Sequence, residues 1–292
     1  MFQRLLICTD LTDGLQRLVD FIPSLAVSGI KKVVFLHVLP LDSDREIPRI
    51  DEEEAKPARD QLSVAKQQAP AGVEVEIEIQ WGRPLDRILS TAEAHQVDLI
   101  MLGTPSRSML TEKLFGSTTM GLCQRTPTPV MIFRPQLLST YTVEELDLRC
   151  RHLFRYFLIP YDGSKPAHYL IEQIKTWAKN RPANSLEECL LCWVIEEGGR
   201  RGIPGIQPDE AAAQLEAVKS ELETLTLQVT TQVIQGEPVP EILLAAQVYD
   251  ISAIVSSSDS LGTLLEWSIP SFSGEILRRS WHPVIYFPPS KD

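Results

Sequence analysis

The chain has 292 residues and a mass of 32.8 kDa, which suits two domains of ordinary size, each with its own core. Hydrophobic residues make up 43% of it, and no apolar run approaches the roughly 18–20 residues that cross a bilayer, so no membrane association is expected. A net charge of −11 and a pI near 5.0 argue against a nucleic-acid-binding surface.

The opening residues, MFQRLLICTD, lack the layout of a signal peptide and read as a first strand, Arg4–Thr9, followed by Asp10. A helix is expected from about Gly14 to Ser28, then a second strand over Lys32–Val38 that Leu39-Pro40 ends. Residues 41–58 are charged and bounded by proline, and lead into a helix over Glu52–Gln68 whose acidic start suits a helix N-terminus. Val73–Gln80 alternates apolar and polar residues, the pattern of a strand with one half-solvated face. Gly82-Arg83-Pro84 turns the chain into an amphipathic helix over Leu85–Gln96. Leu99–Leu102 and Val130–Phe133 are apolar throughout and read as strands buried on both faces. Thr142–Arg151 reads as a short charged linker helix.

The same unit is then written again, with a period of about 150 residues. Strands are expected at Arg155–Pro160, Leu186–Ile195, Gln228–Ile234, Ile251–Ser256 and Pro283–Phe287, with helices between them. Gly236-Glu237-Pro238 repeats Gly82-Arg83-Pro84, and His282-Pro283-Val284 repeats Thr128-Pro129-Val130. The order βαβαβαβαβ in each copy implies a parallel sheet covered on both faces, an α/β fold of two tandem doubly wound sheets of five strands. The boundaries expected are a first domain over 1–137, a linker over 138–153 and a second domain over 154–292.

Residues Leu99–Phe133 carry the chemistry. A buried strand ends in Gly103, a polar loop follows, and Phe115-Gly116-Ser117-Thr118 opens a helix that Thr126-Pro127 closes. Small residues after a strand and before a helix let a phosphate approach backbone N–H groups, the helix dipole favours negative charge there, and the Ser117 and Thr118 hydroxyls add donors. This spacing resembles the nucleotide loop of the universal stress protein family, in which a glycine, two residues, a glycine, nine residues and a glycine precede Ser or Thr. Gly103, Ser106, Gly116 and Ser117 stand at those places, with Ser106 replacing the second glycine.

The resemblance spans essentially the whole chain as two tandem domains. It implies sheets of strand order 3-2-1-4-5, the adenine nucleotide alpha hydrolase-like arrangement, with a ligand beyond the carboxyl ends of strands one and four, where the order reverses. It also implies that Asp10, with Cys8 and Thr9 before it and Val38 at the end of strand two, contacts the nucleoside. Leu102, Gly103, Ser106, Arg107, Gly116, Ser117 and Thr118 then carry the phosphates, with ATP or AMP as the ligand and Mg2+ accompanying it. The plain structural alternative for Asp10 is a cap for the helix after it. Family members pair through the last strand, so the two domains are expected to pair as an intramolecular pseudo-dimer, and a homodimer and a protein partner fit the same picture.

The second copy keeps Asp162-Gly163-Ser164 after its first strand, but Ser257, Ser260, Pro270 and Ser271 occupy the loop positions, and no ATP is expected there. No GxxxxGK[ST], GxGxxG or GxSxG motif occurs, and the five histidines show no metal-ligand spacing. No nucleophile–base pair can be named, so the chain is not expected to be an enzyme, beyond a weak incidental ATPase. His37 reads as a structural edge residue. Five scattered cysteines form no disulfide framework, and Cys189-Leu-Leu-Cys192 lies in a strand, where residues three apart face opposite ways. A reducing cytoplasm follows as the default. The family resemblance implies a nucleotide-binding stress-response regulator, and the alternative is a scaffold with degenerate sites that presents surfaces without a nucleotide.

Overall fold

The computed structural model describes residues 1–41, 52–103, 117–196, 206–258 and 271–289. They fall into two compact units, Phe2–Arg151 and His152–Asp292. In the front unit β1 (Arg4–Cys8) is central because Leu5, Leu6 and Ile7 leave no face that tolerates water. It pairs in parallel with β2 (Lys32–Leu39), Arg4 opposite Lys32 through Cys8 opposite Leu36. On its other side it pairs with β4 (Leu99–Gly103), Leu5 opposite Leu99 through Cys8 opposite Leu102. The outer strands are β3 (Glu74–Trp81) and β5 (Val130–Phe133), giving the order β3-β2-β1-β4-β5.

The helix expected over 14–28 is divided. Leu15–Phe21 is a 3-10 helix, and only α1 (Ile22–Val27) is α-helical. Pro23 is the cause: it has no N–H to return to the preceding turn, so the ladder must restart there. The next helices are α2 (Glu52–Gln68), α3 (Pro84–Ala94) and α4 (Ser117–Arg125). α3 and α4 pack closely at Gly121, where a Cβ would lie 2.5 Å from Leu85 Cδ2, and Arg125 Nη1 joins Asp86 across them at 3.1 Å. After β5 come α5 (Pro135–Thr140) and α6 (Val143–Arg151). α6 starts with a capping box: Glu145 N–H donates to Thr142 Oγ1 (3.3 Å) and Thr142 N–H to Glu145 Oε2 (2.9 Å). It packs on α1, where Ser24 Oγ donates to Asp147, and so belongs to the front unit rather than spanning open space.

The rear unit repeats the design. β6 (Tyr156–Pro160) lies between β7 (Glu188–Ile195) and β9 (Ala253–Ser257), with β8 (Gln228–Gln235) and β10 (Val284–Phe287) outermost, all in parallel. The order β10-β9-β6-β7-β8 is again third, second, first, fourth, fifth when counted from β8. Its helices are α7 (Lys165–Lys179), α8 (Pro208–Glu223), α9 (Pro238–Val248) and α10 (Phe272–Arg279). Both Gly-X-Pro turns recur with a left-handed glycine, φ 135° at Gly82 and 153° at Gly236, each leading to a helix whose first residue is proline. Among the described residues no helix is long and apolar enough to cross a membrane.

Candidate functional site

In the front unit Cys8 and Gly103 end neighbouring parallel strands at the point where the strand order reverses, and the N-terminal end of α4 begins at Ser117. Cys8, Thr9, Leu102 and Gly103 come together there, and Val38 lies at the same end of β2. Thr9 extends the ladder, its N–H donating to Leu36 O at 3.0 Å. Ser106, Arg107 and Gly116 lie outside the described residues, as does the side chain of Ser117; Thr118 is half-buried in the first turn of α4.

Asp10 is exposed, and its Oδ1 accepts from Thr12 N–H and Thr12 Oγ1, both at 2.8 Å. It therefore caps a turn, not a helix; Gly14 holds the N-cap position of the helix that follows. Asp162 in the rear unit does the same, accepting from Ser164 N–H at 3.0 Å. The residue between is left-handed in both turns, Leu11 with φ 65° and Gly163 with φ 72°. The two copies thus share one backbone turn after their first strands.

The acid that the sequence reading passed over is Asp13. It is 6% exposed, and its Oδ1 accepts from Thr9 Oγ1 (2.7 Å) and from Leu15 N–H (3.0 Å). Burial pushes its carboxyl up from 3.8 to about 6, and the Asp10 carboxylate adds to this while the hydrogen bonds oppose it. Asp13 also explains Gly103: a Cβ there would lie 2.8 Å from Asp13 Cβ. The close approach that demands glycine at the end of β4 is made by Asp13. The signal was a second acid three residues after Asp10, but only the fold brings β4 against it.

Two neighbours are similarly committed. Thr9 Oγ1 donates to Asp13 and accepts from Leu11 N–H at 2.9 Å, so its side chain supports the turn. His37 is buried with Nδ1 2.9 Å from Thr9 O; a carbonyl only accepts, so Nδ1 carries the proton and ties β2 to the end of β1. Cys8 is a buried thiol, raised well above its ordinary range by desolvation and then by Asp13, and it offers the site backbone rather than a nucleophile.

The corresponding place in the rear unit holds a cavity of about 680 Å3 between the carboxyl ends of β6 and β9 and the start of α10. Leu170, Val194, Ile242 and Phe272 line its apolar side, and Asp162, Glu196 and Glu275 contribute carboxylates. Its serine hydroxyls are engaged within the protein. Ser256 Oγ donates to Ser273 Oγ (2.8 Å), Ser273 Oγ to Ser257 O (2.6 Å) and Ser257 Oγ to Phe287 O (2.8 Å). Ser258 Oγ pairs with the Tyr286 hydroxyl at 2.7 Å, and Ser271 Oγ caps α10 through Gly274 N–H at 3.1 Å. Cys189 and Cys192 are free and buried in β7, each pushed by burial to about 12, which leaves no metal-binding thiolate pair.

A doubly wound parallel sheet occurs twice, its fourth strand lying beside the first and ending in Gly103 in the front unit and in Ser257 in the rear, which defines a tandem α/β protein. The universal stress protein family matches residues 1–134 and again 154–288, and the chain belongs to that family. Its fold is similar to that of a universal stress protein from Archaeoglobus fulgidus, 21% identical over 99% of this chain and 97% of that one, with a TM-score of 0.65. A universal stress protein from Pseudomonas aeruginosa is 13% identical over 98% of this chain and 93% of its own, TM-score 0.61. A family protein from Arabidopsis thaliana, solved with AMP bound, is 12% identical over 47% of this chain and 94% of its own, TM-score 0.35. No curated protein matches the chain.

Proposed function

We propose that the protein is an adenine-nucleotide-binding regulator of a stress response, with one competent site, in the front unit, and ATP as the ligand together with Mg2+. The observation that carries this reading is the switch point itself. Cys8 and Gly103 end adjacent parallel strands, Asp10 stands exposed beside them, and the N-terminal end of α4 follows the glycine-bearing loop. Membership of the family supports it. Asp10 receives the nucleoside, and the loop from Gly103 to Thr118 receives the phosphates.

The rear cavity supports a division of labour. Its described hydroxyls already have partners, and three carboxylates line it, so it repels a polyphosphate. Nucleotide binding is regulatory rather than catalytic, acting through conformation or a protein partner. The test is isothermal titration with ATP on wild type, Gly116→Asp and Asp162→Ala. The reading expects a single site that Gly116→Asp abolishes and Asp162→Ala leaves intact. Equal, poor binding by wild type and Gly116→Asp overturns it in favour of a scaffold without nucleotide. Steady-state phosphate release at the level of a buffer blank is expected, and turnover abolished by Gly116→Asp refutes the regulatory assignment.

A further inference from the structure

The edge strand β3 carries Glu74, Glu76, Glu78 and Gln80 on one face, a consequence of its strict alternation. His95, the C-cap residue that follows α3, reaches that face. His95 Nδ1 lies 3.4 Å from Glu76 Oε1, and Nε2 lies 3.3 Å from Glu78 Oε1. The imidazole is 14% exposed, and the two glutamates are 35% and 32% exposed. One donor atom from each of the three residues lies within 4.8 Å of the other two.

The group is braced. Gln80 Nε2 donates to Glu78 Oε2 and to Thr91 Oγ1, both at 3.1 Å, which leaves Glu78 Oε1 turned to the ring. The Arg4 guanidinium donates to His95 O, and His95 N–H donates to Thr91 O at 3.0 Å. Lys32 Nζ bonds Glu74 Oε1 (2.9 Å) and Glu76 Oε1. Lys32 therefore serves Glu74 and Glu76, while the described partners of Glu78 are an amide and an imidazole.

We propose that Glu76, Glu78 and His95 form a site for a divalent transition metal, with Zn2+ as the natural probe. The two carboxylate oxygens are hard donors that zinc also accepts, and it is the borderline imidazole nitrogen that favours zinc over calcium or magnesium, which take oxygen ligands. Donors in a tetrahedral zinc shell are roughly 3.4 Å apart, so rotation of the two glutamates completes three ligands and water supplies the fourth. Lys32 is the stand-in cation of the metal-free protein: the metal displaces it from Glu76, and it stays with Glu74. Glu76 and Glu78 stand opposite Val34 and Leu36 of β2, which stand opposite Leu6 and Cys8 of β1, so the site lies mid-strand on the outer edge of the sheet, two strands away from the switch point. Bound metal would clip the sheet edge to α3.

The experiment uses untagged full-length protein stripped with chelator, titrated with ZnCl2 by calorimetry and with Co2+ by visible absorption. The expected result is one Zn2+ per chain and a cobalt d–d band. His95→Gln and Glu78→Gln should each weaken binding by about 100-fold or more. Lys32→Met should tighten it by about tenfold, because the competing ammonium is gone. Circular dichroism confirms that each variant is folded, and Lys32→Met reports a gain that loss of structure cannot produce. Absence of stoichiometric binding, wild-type affinity in His95→Gln and Glu78→Gln, or no tightening in Lys32→Met overturns the proposal.

Discussion

Replacing Asp13 by Asn isolates the effect of a buried acid at the strand ends. The Asn side chain keeps the shape, and its Oδ1 still accepts from Thr9 Oγ1 and Leu15 N–H. What disappears is the ionisable proton. In the folded chain the carboxyl titrates at about 6, above its ordinary 3.8. Between those two values the folded state holds a proton that the unfolded state has released, so wild-type stability falls as pH rises through that window. Converted at 1.36 kcal/mol per pH unit, the loss completes above pH 6 at about 3 kcal/mol. Asp13→Asn removes this dependence. The variant should match wild type near pH 4 and exceed it by up to about 3 kcal/mol at pH 8. Because two units can unfold separately, the readout is a urea series followed by hydrogen exchange of peptides from β1, which reports the front unit alone. If the ligand's phosphates rest beside Gly103, the variant should also bind ATP more tightly at pH 8 than wild type does. A stability difference independent of pH, or a variant weaker than wild type at pH 8, refutes the account of Asp13 as a charge confined against its preference.

The same geometry sets further expectations. Gly103→Ala brings a Cβ against Asp13 Cβ and should destabilise the front unit by about 1–3 kcal/mol, with recovery when Asp13→Gly is added; exchange of β4 peptides measures both. Gly163→Ala meets Trp193 at 3.2 Å and Gln214 Oε1 at 3.1 Å from a left-handed backbone, and should lower rear-unit stability by about 1–2 kcal/mol in urea. Ser273→Ala leaves the Ser256 hydroxyl without its acceptor and should cost the rear unit about 1–3 kcal/mol, seen as faster exchange in β9. Cys189 and Cys192 should resist iodoacetamide in native protein at pH 8 and react once urea unfolds the rear unit, as read by peptide mass.

What could be read from the sequence and what could not differ in physical kind. The strands were legible because runs such as Leu5–Ile7 and Leu99–Leu102 have one state that removes all of their apolar surface from water, and it is the interior of a parallel sheet. The duplication was legible because Gly-X-Pro turns impose backbone geometry that few other residues accept. The 3-10 segment was missed because amphipathic spacing alone does not register that Pro23 interrupts the ladder. Asp13 was missed for a different reason: nothing within ten residues of it implies burial, which is imposed by the end of β4, some ninety residues later. The rear serines show the same limit from the other side. The sequence shows that the glycines are gone from that loop but not where the hydroxyls go: Tyr286 and Phe287 of β10 and Ser273 of α10 take them up. A binding site is defined by the polar groups that remain after the fold has used its own, and that remainder depends on contacts between distant segments. The front and rear strand ends therefore share a turn, Asp10 to Thr12 and Asp162 to Ser164, but differ in what remains: a protonatable acid against glycine in one, and an internally closed hydroxyl network beside carboxylates in the other.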